Sequence, residues 1–361
     1  MFDFFRKNKP VLGVDIGSRT IKGVKLKKGK DGRVHLAAHF FQDLAQTSED
    51  FPARCNREEA FKAAIEIQRL GATPAATIVK DSDVISFNFS LPHMTEKELN
   101  EAVPQEVAEQ AHIQIEDYIC DYLSTRAEST EEIKAFCVKR DLIVQQMESL
   151  KNAGLKPKAI EPEMMAIMSM LEFNDYISKD EVIVVLDLGE SRLNSALVSE
   201  GNLVVTKSQN ASFGLVNSTF KERMDMSYDL AEDVKLDYDF LSIPADQGNP
   251  VNEIMDEVFT EIFKGIKEII EFYKECPESF GRIDKILLVG GATQIKNIDK
   301  VHEMFFKIPS MIVNPFRNIE ILSTADDQLN DEVVQLAPYM GTAVGLALSA
   351  FMEGKKAVTN E

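Results

Sequence analysis

Positive charge is what this sequence is shortest of. Lysine and arginine number 40 against 59 aspartates and glutamates, a formal net charge of -19 over 361 residues. Such a surface repels phosphate backbones and anionic headgroups, which argues against nucleic acid or a lipid surface as a direct partner. The basic cluster of Arg6, Lys7 and Lys9 reads as a solvated terminus. Cysteine is scarce as well. Cys55, Cys120, Cys137 and Cys276 form no CxxC pair, and none stands at ligand spacing from a histidine. They read as scattered free thiols of a reducing compartment, and no metal centre is expected from them. No apolar run reaches the ~20 residues that span a bilayer. The charged start up to Pro10 is not followed by the apolar core of a secretory signal. If such a protein works at a membrane, something else holds it there.

What is present is an ordinary globular composition, 44% hydrophobic and 27% charged, over a length that suggests about two domains. A chain this long buries enough apolar surface to need no disulfide or metal staple. Its most informative feature is an internal echo. Val11 to Leu26 contains Asp15-Ile-Gly17, and Ile183 to Val198 contains Asp187-Leu-Gly189, each pair of positions 172 apart. Both copies read as a buried strand, a tight Asp-x-Gly turn and an alternating strand, with a further turn and third strand (Val34 to Ala38, Leu203 to Lys207) behind. Two similar α/β halves follow from this.

Between the copies the rhythm changes. Asp81 to Leu91 alternates as a strand, and Thr95-Glu-Lys-Glu98 is a capping box opening a helix that Pro104 either kinks or splits. Tyr118 to Leu123 and Ile133 to Val138 read as strands, Asp141 to Ala153 as a helix stopped by Gly154, and Lys156 to Ile160 as a strand before a Met-rich helix. In the second half, helices are expected over Ser218–Met226, Tyr228–Lys235 and Val251–Glu275, with a polar loop from Asp237 to Pro250.

Several residues carry chemistry in this pattern. Gly17 lets backbone approach a phosphate, Ser18 and Thr20 add hydroxyl donors, and Lys22 on the returning strand adds charge. Asp15 is negative, so it belongs beside phosphate only through Mg²⁺ or its waters. One such turn alone is an ordinary hairpin; two at equivalent places point to a nucleotide. Glu161, before Pro162 at a strand-to-helix corner, is placed to orient a water, although the corner alone is unremarkable. Met164, Met165, Met168 and Met170 read as core filler. Glu232 and Lys235 share a helix face, either as an ion pair or at ribose and purine. Gly290-Gly291-Ala292 after an apolar strand admits a flat base close to the backbone.

These pieces stand in the order found in the actin, chaperone and sugar-kinase superfamily, which the chain resembles at Asp15–Thr20, Glu161–Ala166, Asp187–Glu190, Gly290–Thr293 and Tyr339–Gly345. Within it, the opening Val-Leu-Gly-Val-Asp-Ile-Gly-Ser, the Leu99–Ala111 phrase, the Ala231–Lys235 block and Asn314-Pro315-Phe316 resemble the PilM family. The resemblance implies an actin-like two-domain fold of duplicated ribonuclease-H-like halves, 1–180 with 336–361 and 181–335, with a small α/β subdomain inserted at 94–150. It implies ATP and Mg²⁺ in the cleft between the halves. Asp15 and Asp187 would hold the metal shell and Glu161 the attacking water. Gly17, Ser18, Arg19, Thr20, Lys22, Gly189, Glu190, Ser191 and Gly214 would surround phosphate, with Glu232, Lys235, Gly290, Gly291 and Ala292 at the nucleoside. It further implies a cytoplasmic protein peripheral to the inner membrane. Its partners would be the N-terminal cytoplasmic tail of a PilN-like protein, docked near the insert, and pilus motor or platform proteins; homo-oligomerisation is left open.

Two departures weigh against fast hydrolysis. Glu190 stands where the superfamily has small or hydroxyl residues, and Ser212-Phe213-Gly214 has one glycine where relatives have two. The expectation is nucleotide binding with slow ATPase activity at most. The alternatives are an FtsA-like filament-forming division protein, against which the short polar end Phe351 to Glu361 counts, and a small-molecule kinase, for which no substrate base is evident.

Overall fold

The computed structural model describes residues 10–44, 56–242, 248–321 and 327–352. Arg6, Lys7, Lys9, Cys55, part of the expected polar loop before Pro250 and the tail from Gly354 lie outside them. The first half runs β1 (Leu12–Ile16), β2 (Thr20–Lys28), β3 (Val34–Asp43), α1 (Arg57–Ile67) and β4 (Pro74–Val79). The insert follows as β5 (Val84–Pro92), α2 (Glu96–Ala111), β6 (Tyr118–Arg126) and β7 (Thr130–Lys139). The first half resumes with α3 (Arg140–Asn152), β8 (Lys156–Pro162) and α4 (Glu163–Phe173). The second half holds β9 (Ile183–Leu188), β10 (Leu193–Ser199), β11 (Asn202–Gln209), α5 (Gly214–Met224), α6 (Tyr228–Asp237) and α7 (Pro250–Glu275). It continues with β12 (Lys285–Val289), α8 (Ile298–Phe306) and β13 (Ser310–Ile312). The chain then returns through β14 (Glu320–Ile321), α9 (Asp327–Leu336) and α10 (Gly341–Met352).

The echo in the sequence is an echo in topology. The first sheet has the order β14-β3-β2-β1-β4-β8 and the second β11-β10-β9-β12-β13. In each, an antiparallel three-strand meander continues into parallel strands. The register is also equivalent: Asp15 lies opposite Lys22 and Asp187 opposite Asn194, again 172 residues on. Strands β1 and β9 are buried nearly end to end, which is why they read as continuous apolar runs.

Helices α4 and α10 and the inner faces of both sheets share one core, where Met164, Ile167, Val344 and Ala347 meet Ile183, Val185 and Leu287. Small residues make this close approach feasible. A Cβ on Gly345 would collide with the carbonyl of Ala166, and one on Gly13 with Ala343 and Ala347. On the far side of the second sheet, α7 lays Ile254, Ile262, Ile266 and Tyr273 onto Val184, Leu186 and Leu197.

The inserted unit is a three-stranded sheet, β5-β7-β6, covered on one face by α2 through Leu99, Val103 and Val107. Its first strand lies upstream of Met94, and Leu150 of α3 packs into the core of the first sheet instead. The capping box forms at Thr95, and α2 runs through Pro104 as one helix. One expectation is corrected here. Cys120 and Cys137 are not free; they face each other across β6 and β7 and form a disulfide. The pairing follows from hairpin register, which brings residues 17 apart into direct opposition. Cys276 is free.

Candidate functional site

The two Asp-x-Gly turns face each other across a cavity of about 530 Å³ between the halves. The N–H of Gly17 donates to the carbonyl of Thr20 at 2.9 Å, closing the first turn. In the second, a Cβ on Gly189 would strike the carbonyl of Arg192, so glycine serves the same tight turn. The hydroxyls of Ser18 and Ser191 share a hydrogen bond, which ties the turns together.

At the floor of the cavity lies a cluster of acids around one ammonium. Lys22 Nζ is 2.6 Å from Asp15 Oδ2, with Asp15 buried and Lys22 half-buried. Asn194 Nδ2 donates to Glu163 Oε2 at 3.0 Å and to Asp187 Oδ2 at 3.3 Å. Burial pushes Asp187 up to about 6, despite its bond to Asn194. Burial, with Asp187 and Asp15 adding to it, holds Glu163 well above the carboxylate range. Behind it Asp81, which accepts the N–H of Met164 at 3.0 Å, is pushed up to about 7, again mainly by burial. For Lys22 burial acts downward, but Asp15, Glu163 and Asp187 outweigh it and the ammonium is held above its ordinary value.

Glu161 does not face this cavity. Its carboxylate accepts from Ser349 of α10, while Glu163, the first residue of α4, lines the wall. The chain turns from strand to helix at Pro162, and the residue after the proline is the one aimed inward. Sequence reasoning weighed the carboxylate before the proline and passed over the one behind it.

The cavity wall at α6 is an ion network. Lys235, with a side chain only 2% exposed, sits 2.8 Å from Glu232 and 3.6 Å from Glu190. Burial raises Glu232, but Lys235 and the amide of Asn217 outweigh it, so its net shift is downward. Glu190 also accepts from the phenol of Tyr228. Burial pushes Glu190 upward against the pull of Lys235. The unexpected glutamate thus stays in the cavity wall with a cation beside it. Gly214 stands behind it, where a Cβ would collide with Glu190, and does not line the cavity; Phe213 does.

Arg19 crosses from the first turn to α6. It bonds Asp43 at 2.8 Å, lies 4.0 Å over the ring of Tyr228 and is 3.5 Å from Asp229. Gly290 has φ +94, and a Cβ there would strike Asp187 and the Leu188 backbone. Gly291 lies against Tyr339, whose ring also meets Phe41 at 5.0 Å. Arg19, Gly290, Gly291 and Tyr339 line one continuous cavity with Thr20, Gly189, Ser191 and Ala292. Asn194 was legible as the echo of Lys22; Tyr228 gave no local signal.

The acids give a pH signature. Glu163, Asp187 and Asp81 each have a folded pKa above the unfolded value, so the native state retains protons the unfolded chain has lost. Their penalty is absent below about pH 4 and is fully present above about 6 for Asp187 and about 7 for Asp81. Stability in EDTA is expected to fall as pH rises from 5 to 8. Because general acidic repulsion acts in the same direction, Asp81→Asn serves as control. A melting-temperature difference as large in Asp81→Asn as in wild type would contradict the assignment.

Comparison with known proteins places this geometry in context. A family profile described as type IV pilus assembly protein PilM matches residues 13–351. A chain from a solved PilM-PilN type IV pilus biogenesis complex is similar at 18% identity and TM-score 0.76, covering 94% of this chain and 98% of that one. Ethanolamine utilization protein EutJ from Carboxydothermus hydrogenoformans is similar at 15% identity and TM-score 0.51, covering 93% and 88%. The fold is actin-like.

Proposed function

Because the chain belongs to the PilM family of type IV pilus assembly proteins, we propose that it is a cytoplasmic, ATP-binding adaptor that docks the cytoplasmic tail of a PilN-like inner-membrane partner. The observation that carries the nucleotide reading is the charge at the cavity floor: Asp15, Glu163 and Asp187 share one ammonium, Lys22. Buried carboxylates in excess of their cations call for more positive charge. Mg²⁺ accompanying ATP would supply that charge. Asp15 and Asp187 would hold the metal shell from the two turns. Ser18, Thr20 and the N–H groups after Gly17 and Gly189 would face phosphate, and Lys235 with Gly290 and Gly291 the nucleoside.

The two departures from the superfamily pattern, Glu190 and the single glycine at Gly214, favour slow turnover. Glu163, which lines the cavity, would orient the attacking water. Turnover is expected below ~1 per second, the low end of typical enzymes.

Docking is assigned to the neighbourhood of the insert, where Ile119 and Leu123 of β6 and Val144 of α3 are exposed apolar side chains. No helix among the described residues is long and apolar enough to cross a membrane. Attachment to the cytoplasmic face of the inner membrane would come from the partner, and pilus motor or platform proteins are further candidates for contact.

The insert also touches the second half. Lys134 of β7 donates to the carbonyl of Leu203 at 2.8 Å and to that of Val204, and burial lowers its pKa to about 8. Through this contact, closure of the cleft would move the insert. Affinity for a PilN-like tail peptide is expected to differ about tenfold between apo and Mg·ATP forms, within the usual range of couplings. Lys134→Met should bring that ratio close to one. No peptide binding in either form would refute the adaptor reading; an unchanged ratio in Lys134→Met would refute the coupling route.

A further inference from the structure

We propose that Asp31, His35 and Glu320 bind a divalent transition-metal ion of the zinc class, which fastens β14 to the first sheet. None of the three lines the cleft cavity, so the site is independent of the nucleotide reading. Strand β14 pairs with β3 over two residues, with Glu320 directly beside His35. Asp31 comes from the turn between β2 and β3. Gly29 of the same turn leaves room for it, since a Cβ there would strike both Asp31 Oδ1 and His35 Nε2. One ligand atom from each of the three side chains lies within 4.8 Å of the other two.

The ring of His35, with a side chain 9% exposed, is what calls for a cation. Its Nε2 lies 3.3 Å from Asp31 Oδ1, and its Nδ1 lies 3.3 Å from Glu320 Oε2. A neutral imidazole has one donor nitrogen and one acceptor. With the proton on Nε2 toward Asp31, the lone pair of Nδ1 faces a carboxylate oxygen, and Nδ1 is buried without a hydrogen-bond partner. Positive charge between the two relieves that opposition. A metal ion fits the space: legs of ~2.1 Å across a 3.3 Å nitrogen-to-oxygen separation enclose about 105°, near the tetrahedral angle. The side chains of Asp31 and Glu320 are 48% and 37% exposed, so an ion enters from solvent between them and the ring closes the inner side. Three protein ligands leave the fourth position to water. Arg33 holds the other oxygen of Glu320, and its backbone N–H donates to Asp31 Oδ1 at 3.1 Å, which orients both carboxylates. Imidazole beside carboxylates suits Zn²⁺ and not Mg²⁺, which takes oxygen ligands.

The test is calorimetric titration of the full chain with Zn²⁺ alone at pH 8, after EDTA treatment and dialysis. It is run on wild type, His35→Gln, Glu320→Gln and Asp187→Asn, and thermal melts without metal establish that each is folded. Wild type is expected to bind Zn²⁺ saturably in excess Mg²⁺. His35→Gln and Glu320→Gln should each weaken that binding at least about tenfold, the least that disturbing a metal's surroundings costs. Asp187→Asn should leave it unchanged, which separates this site from the acids of the cleft. Zn²⁺ should raise the melting temperature of wild type and leave that of Glu320→Gln where it was. Three results overturn the inference: no saturable Zn²⁺ binding to wild type, binding lost only in Asp187→Asn, or undiminished binding in folded His35→Gln and Glu320→Gln. In each case the charge between His35 and Glu320 is a second proton on the ring.

Discussion

Lys22→Met is expected to lower folding stability by about 3–5 kcal/mol at pH 8 in EDTA, the usual consequence of removing one partner from a buried ion pair. Methionine keeps most of the stem, so the loss reports charge and not packing. Without the ammonium, Asp15 loses its 2.6 Å partner, and Glu163 and Asp187 lose the one cation that draws them down. The cluster then relieves itself by taking up protons, so the deficit should shrink at pH 5. Excess Mg²⁺ should recover part of it at pH 8. Urea melts at both pH values measure this directly. A loss below about 1 kcal/mol at pH 8 would place Lys22 outside any essential charge balance.

Asp187→Asn is expected to weaken Mg·ATP binding by about 100-fold, at the upper end of what disturbing a metal's surroundings costs. It should also leave the apo protein as stable as wild type or more so at pH 8. The two effects have one origin. Asp187 is buried in a cluster already too negative, held at about 6 by that burial and bonded only weakly by Asn194 at 3.3 Å. An amide of the same shape removes the charge penalty and keeps the contact. Stability gained where binding is lost is the signature of a group retained for a ligand and not for the fold. A destabilised Asp187→Asn with intact ATP affinity would reverse that assignment.

How much of this was legible in the sequence depends on how local the signal is. The duplicated halves were, because a buried strand and an Asp-x-Gly turn each occupy a few adjacent residues. The equivalence of Asp15 with Asp187 even predicts which residues lie opposite them, Lys22 and Asn194. The helix cap at Thr95 is local in the same sense. Glu161 and Glu163 are separated only by the turn at Pro162, and pattern alone does not say which side of that turn faces the cleft. The disulfide depends on hairpin register, which neither cysteine reveals. The contacts of Arg19 with Tyr228 and of Lys134 with Leu203 join distant segments, and the strand and helix periodicities around them carry no trace of the meeting. Glu190 looked adverse beside phosphate because its neighbour Lys235 is remote in sequence.

The central claim, a cleft that holds Mg·ATP through an excess of buried carboxylates, is tested most directly by calorimetry. ATP is titrated into the wild-type chain at pH 8 with excess Mg²⁺ and again in EDTA. Saturable one-site binding with Mg²⁺, reduced at least about tenfold in EDTA, is the predicted result. Equal binding in both conditions, or none in either, would contradict it.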